Sequence, residues 1–142
     1  MVERPHTRPD LLLAVAVGGF IGTATRYLVA RALPTGDGQW PTATLVVNLV
    51  GAFILGALLE GLTRHGPDVG WRRRVRFGVG TGFCGALTTY SALAIEVDLL
   101  ARDDRLGLAA AYAVISLLAG LAATVMGVAV AARNGPAVVD ST

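Results

Sequence analysis

Lysine is absent from this chain, cysteine occurs once and histidine twice. Cys84 therefore has no intrachain disulfide partner, and with only His6 and His65, far apart in sequence, no ligand set of the structural-zinc type can form. Cys84 reads as a buried, inert thiol. Charge is scarce too: Asp, Glu, Lys and Arg make up 15% of the residues, and the stretches 41–59, 77–95 and 106–132 hold none. A membrane-embedded titratable group of the kind that proton-coupled transporters use is thus missing from these runs. Also missing are a nucleophile beside a base and a phosphate-cradling loop, which argues against an enzyme. Glu60, Glu96 and Asp98 fall at the ends of the runs, where solvated helix termini are expected.

What is present is apolar surface. Of the 142 residues, 54% are hydrophobic, and the mean hydropathy is +0.60. Each uncharged run is long enough to cross roughly 30 Å of hydrocarbon as a helix. A fourth candidate starts at Leu11 and continues through Arg26 and Tyr27 to Leu33, with the arginine near one end, where it can snorkel. The pattern predicts an all-α membrane protein with one four-helix domain. Its helices cover about 10–33, 41–62, 73–100 and 106–132, and polar tails occupy 1–9 and 134–142. No separate soluble domain fits. Arg4 and Arg8 before LLLAVAV, with Ala-Arg-Ala at 30–32, have the outline of a signal peptide, but the glycine-rich continuation GGFIGTATRY suits a packed helix better. Gly18 and Gly22, and Gly78 and Gly82, are small-xxx-small pairs and read as helix packing. Trp40 and Trp71 precede helices 2 and 3, where an interface belt places amphipathic rings.

The arginines set an orientation. Arg4, Arg8, Arg64, Arg72, Arg73, Arg74, Arg76 and Arg133 share one side if four helices alternate, against Arg31, Arg102 and Arg105, with Arg26 nearby, on the other. That bias predicts cytoplasmic termini and explains RRRVR as a topology signal rather than a lipid or nucleic-acid site.

Within the apolar spans stand neutral hydrogen-bonding groups: Asn48 in helix 2, Thr88, Thr89 and Ser91 in helix 3, and Tyr112 and Ser116, four apart, in helix 4. They allow two readings, inter-helix hydrogen bonds worth about 1 kcal/mol or less per pair, or donors that replace the hydration shell of a small anion. Gly85 followed by Leu-Thr-Thr is a place for the third helix to unwind and free carbonyls for a hard cation, and the Tyr90 ring edge could meet an anion.

GGFIGTATRY at 18–27, TLVVNLVGAFILG at 44–56 and GFCGALTTYSAL at 82–93 together resemble the Fluc (CrcB) fluoride channels. The resemblance implies a fluoride-specific channel that exports fluoride passively through a cell or inner membrane. It implies an antiparallel dimer of four-helix subunits, the third helix broken near its middle, enclosing two pores. It further implies a structural sodium ion at the dimer centre on main-chain oxygens of Gly85 and Thr88, a polar track of Asn48, Tyr112 and Ser116, a vestibule arginine at Arg26, and pore hydroxyls at Thr89 and Ser91. Tyr90 and Leu93 stand where the family pattern has phenylalanines, and Ala86 where it has a second glycine. With the unbalanced arginines, this implies a heterodimer with an oppositely oriented paralogue. The alternatives are a non-conducting or complementary subunit, and a small multidrug-type exporter, which wants a glutamate that the first helix lacks.

Overall fold

The computed structural model describes residues 8–36 and 38–134, and all regular structure among them is helical. Most of the two expected polar tails lies outside the described residues. Helix α1 (Pro9–Ala32) starts with proline in its first turn and Asp10 beside the positive end of its dipole. Helix α2 (Thr42–Arg64) uses Pro41 as its N-cap, one residue before the helix proper. The third span, Trp71–Arg102, is composite. It comprises α3 (Trp71–Val75), a π-helical stretch (Arg76–Cys84), the single turn α4 (Gly85–Leu87) and α5 (Tyr90–Arg102), with Thr88 and Thr89 extended between the last two. Helix α6 (Leu106–Asn134) completes the bundle. All four spans are long and apolar enough to cross a membrane, so the chain is a multi-pass membrane protein.

Lipid tails give helices no hydrophobic reason to associate, so close backbone contact must supply the attraction. The glycines provide it at two seams. Between α1 and the third span, a Cβ on Gly82 would lie 2.6 Å from the Val15 carbonyl oxygen, and one on Gly18 would overlap the Gly78 carbonyl. Between α2 and α6, a Cβ on Gly56 would lie 2.5 Å from the Thr124 carbonyl oxygen. The run FGVGTGFC adopts the wider π-helical turn, a departure from the regular helix expected there, and its Gly82 admits α1 backbone at a distance that a side chain would forbid.

At one end, Leu93, Leu100, Ala109 and Tyr112 form a buried cluster on which Trp40 and Leu45 pack. Trp40, expected in the interface belt, is half-buried, its indole in a T-shaped contact with Tyr112, ring centroids 5.3 Å apart at 82°. Arg105, in the turn between α5 and α6, donates to the Gly38 carbonyl at 2.9 Å and draws the α1–α2 loop over the cluster. Trp71 is 59% exposed, as a belt residue should be. At the other end the arginines are paired, Arg74 with Asp10 at 3.0 Å and Arg76 with Asp68 at 2.6 Å, while Arg72 caps α2 by donating to the carbonyl of its C-cap residue His65 and also donates to the Pro67 carbonyl of the following loop at 3.0 Å.

Candidate functional site

The break in the third span has a specific cause. Thr88 closes the α4 turn twice, its amide donating to the Cys84 carbonyl at 3.0 Å and its hydroxyl to the same oxygen at 2.9 Å. In an unbroken helix the next amide, that of Thr89, would bond the Gly85 carbonyl. It donates instead to Asn48 Oδ1 at 2.8 Å, and Asn48 Nδ2 donates back to the Thr89 carbonyl at 3.1 Å. One neutral amide from α2 thus satisfies both backbone groups of the break residue, and the Gly85 carbonyl loses its helical donor. Thr89 then caps α5, its Oγ1 accepting from the Ala92 amide at 3.2 Å and lying 3.2 Å from Ser91 Oγ. Gly51 admits the break: a Cβ there would overlap the Thr88 methyl.

Two cavities flank this junction and share Thr89 as a wall. The larger, about 590 Å³, is lined by Arg26 and Tyr27 of α1, Thr44 and Val47 of α2, and Ser91 and Glu96 of α5. The smaller, about 480 Å³, takes in Asn48, Gly85, Thr88, Tyr90, Leu93 and Ser116, together with Thr124 further along α6. Tyr90 is 79% exposed, and Gly85 and Ser91 are exposed beside it, so the junction opens onto a face of the subunit. The Ser116 hydroxyl is buried and lacks a hydrogen-bond partner. Of the residues expected to form the site, Asn48, Gly85, Thr88, Tyr90, Leu93 and Ser116 therefore meet in one cavity, Arg26 and Ser91 in the other, and Thr89 in both. Tyr112 lines neither; it is wholly buried behind them.

Glu96 requires a correction. Its expected place was a solvated helix end, yet α5 runs on to Arg102, so Glu96 sits half-buried well inside the helix. It accepts from Tyr112 OH at 2.7 Å and from Thr44 Oγ1 at 2.5 Å, and its carboxylate shares a cavity wall with Arg26. Tyr112 thus reaches the larger cavity through Glu96. Charge-assisted bonds of this kind are worth about 1.5–3 kcal/mol each. Thr44→Val keeps the shape, removes one donor, and is expected to destabilise the fold by about 1–3 kcal/mol in thermal unfolding in detergent, with Thr44→Ser retaining most of the stability. Asp98, by contrast, is an exposed helix-end carboxylate paired with Arg102 at 2.8 Å, and Glu60 pairs with Arg64 near the end of α2. Among the described residues, no three His, Cys, Asp or Glu side chains converge on a metal-binding geometry.

Residues 13–128 match the family model described as CrcB-like protein, Camphor Resistance (CrcB). The chain is 43% identical over 130 residues to the fluoride-specific ion channel FluC 2 of Leifsonia xyli subsp. xyli, covering 92% of this chain and 89% of that protein. It is 44% identical over 113 residues to FluC 1 of Cutibacterium acnes, covering 80% and 79%. Against FluC 1 of Yersinia pestis it is 39% identical over 118 residues, covering 82% and 90%.

Proposed function

The chain belongs to the CrcB-like family, and from that premise we propose that it is a fluoride-specific channel, passive and not enzymatic, that releases fluoride from the cytoplasm. The observation that carries this reading is the broken third span, with neutral donors gathered around its interruption. The start of α5 presents the amides of Tyr90 and Ser91, which have no helical acceptor, and the positive end of its dipole. Ser116 offers a hydroxyl with no protein partner, and the hydroxyls of Thr89 and Ser91, 3.2 Å from each other, lie at the same junction. Such groups can strip the hydration shell of a small anion without the deep trap that a lysine would create.

The functional unit is a dimer of antiparallel subunits. Tyr90, Ser91 and Gly85 are exposed at the depth of the bilayer; polar backbone and hydroxyl groups facing hydrocarbon are costly, and a second subunit on that face would cover them. Sodium is the structural cation of this assembly, held by main-chain oxygens of Gly85 and Thr88. The diversion of the Thr89 amide to Asn48 supports this, because it leaves the Gly85 carbonyl, a hard oxygen, without its helical donor. When bound, the ion would offset the partial negative charge of these carbonyl oxygens.

The arginine bias supports cytoplasmic termini in the cell membrane, where the interior-negative potential drives an anion outward. The same bias, with Tyr90 and Leu93 in the positions of the family's phenylalanines, supports pairing with an oppositely oriented paralogue. Relatives named FluC 1, FluC 2 and FluC 3 are consistent with several such subunits. Reconstitution of the purified chain alone, followed by fluoride-electrode recording, tests the pairing. The expected result is weak efflux that rises when a paralogue of opposite arginine bias is co-expressed, whereas robust efflux from the lone chain removes the need for a partner.

A further inference from the structure

We infer that Trp40 is a positioning residue for the pore, an indole that orients Tyr112 toward Glu96 and ties that pair to the outer α1–α2 loop. The inference rests on the channel reading above and adds to it a residue outside the polar track. Tyr112 is wholly buried, and its ring meets Leu93, Leu100 and Ala109, none of which prefers one ring orientation over another. The T-shaped contact with the Trp40 indole, ring centroids 5.3 Å apart at 82°, does have such a preference, because the partially positive edge of one ring and the negative face of the other attract in one geometry. With the ring so held, the hydroxyl points to Glu96 Oε2 at 2.7 Å. Trp40 is itself fixed from both sides. Its carbonyl accepts from the Thr42 amide at 2.8 Å as α2 begins, and two residues earlier the Gly38 carbonyl accepts from Arg105 at 2.9 Å. Displacement of the loop would therefore turn the indole, release the Tyr112 ring, and change the hold on the carboxylate that faces the larger cavity with Arg26.

Two measurements test this on the complex as purified from cells. Trp40 and Trp71 are the two tryptophans of the chain, so Trp71→Phe leaves Trp40 as its reporter, and the emission of a matched Trp40→Phe/Trp71→Phe complex is subtracted. Titration with sodium fluoride is expected to change Trp40 emission saturably, over the concentrations that saturate flux. Sodium chloride should have no such effect, and Tyr112→Phe should abolish the response. A Trp71→Phe complex that conducts fluoride with unresponsive Trp40 emission overturns the inference alone; one that neither conducts nor responds overturns the channel reading with it. Trp40→Leu is expected to raise the fluoride concentration for half-maximal flux about three- to tenfold, the scale of an indirect coupling, with dimer content unchanged and Trp40→Phe recovering most of the loss. Half-saturation equal to wild type in Trp40→Leu contradicts the inference, and if that variant does not assemble the emission titration decides.

Discussion

Asn48→Leu is expected to abolish fluoride flux and to lower the stability of the fold by up to about 2–6 kcal/mol, the cost of two part-buried backbone groups left without partners at about 1–3 kcal/mol each. The side chains are similar in size, so the effect isolates hydrogen bonding. Asn48 has two tasks at once. It faces the smaller cavity, and its amide accepts from and donates to Thr89 across the helix break. A residue that only lined a path would lose flux on substitution and leave assembly untouched. Here the break itself is expected to fail, because both backbone groups of Thr89 lose the side chain that holds them in the non-helical course. Thermal unfolding of the detergent-solubilised variant checks the stability term, and a fluoride electrode checks the flux. Asn48→Asp supplies the contrast: it keeps an acceptor for the Thr89 amide but loses the donor to its carbonyl and introduces a charge, so it should also fail to conduct.

The second large effect is expected at the α1 seam. A methyl on Gly18 would collide with the Gly78 carbonyl, and backbone, unlike a flexible side chain, cannot swing aside. Gly18→Ala should therefore force the two spans apart, at the cost of about 1–3 kcal/mol typical of overpacking, and Gly18→Leu should prevent assembly. Size-exclusion chromatography of the solubilised protein reports this directly. Gly61→Ala, where a Cβ meets nothing within 4 Å, is the matched control and should elute as wild type. Equal behaviour of Gly18→Leu and Gly61→Ala would show that the glycine seam is not what brings the spans together.

Much of this architecture could be read in advance because bilayer thickness limits what an uncharged run can be. The four spans follow from that constraint, and the break follows from Gly85 and the two threonines, whose branched side chains and competing hydroxyls weaken a helix that glycine has already loosened. Three features escaped. The π-helical course of Arg76–Cys84 falls in a run whose apolar composition suits a regular helix as well. Glu96 looked like a helix end because charge was taken to mark where hydrocarbon stops, yet its partners Thr44 and Tyr112 come from two other helices. One signal could have revealed it: a carboxylate a single residue beyond an uncharged run that continues as helix to Arg102 has little chance of full solvation. The packing of Trp40 on the Tyr112 cluster was not foreseen, because it depends on the contact of Arg105 with Gly38, 67 residues apart in sequence.

The central claim is that neutral donors around the broken third span carry fluoride across the membrane. Its most direct test is ion discharge from liposomes that contain the tagged protein purified from its own cells, with whatever subunit accompanies it. The vesicles are loaded with fluoride or chloride at equal concentration, potassium flux is enabled with an ionophore, and ion-selective electrodes follow release. The account predicts rapid fluoride discharge, chloride release no faster than from protein-free vesicles, and loss of the fluoride signal in Asn48→Leu. Fluoride release at the protein-free rate, or chloride leaving as fast as fluoride, would contradict it.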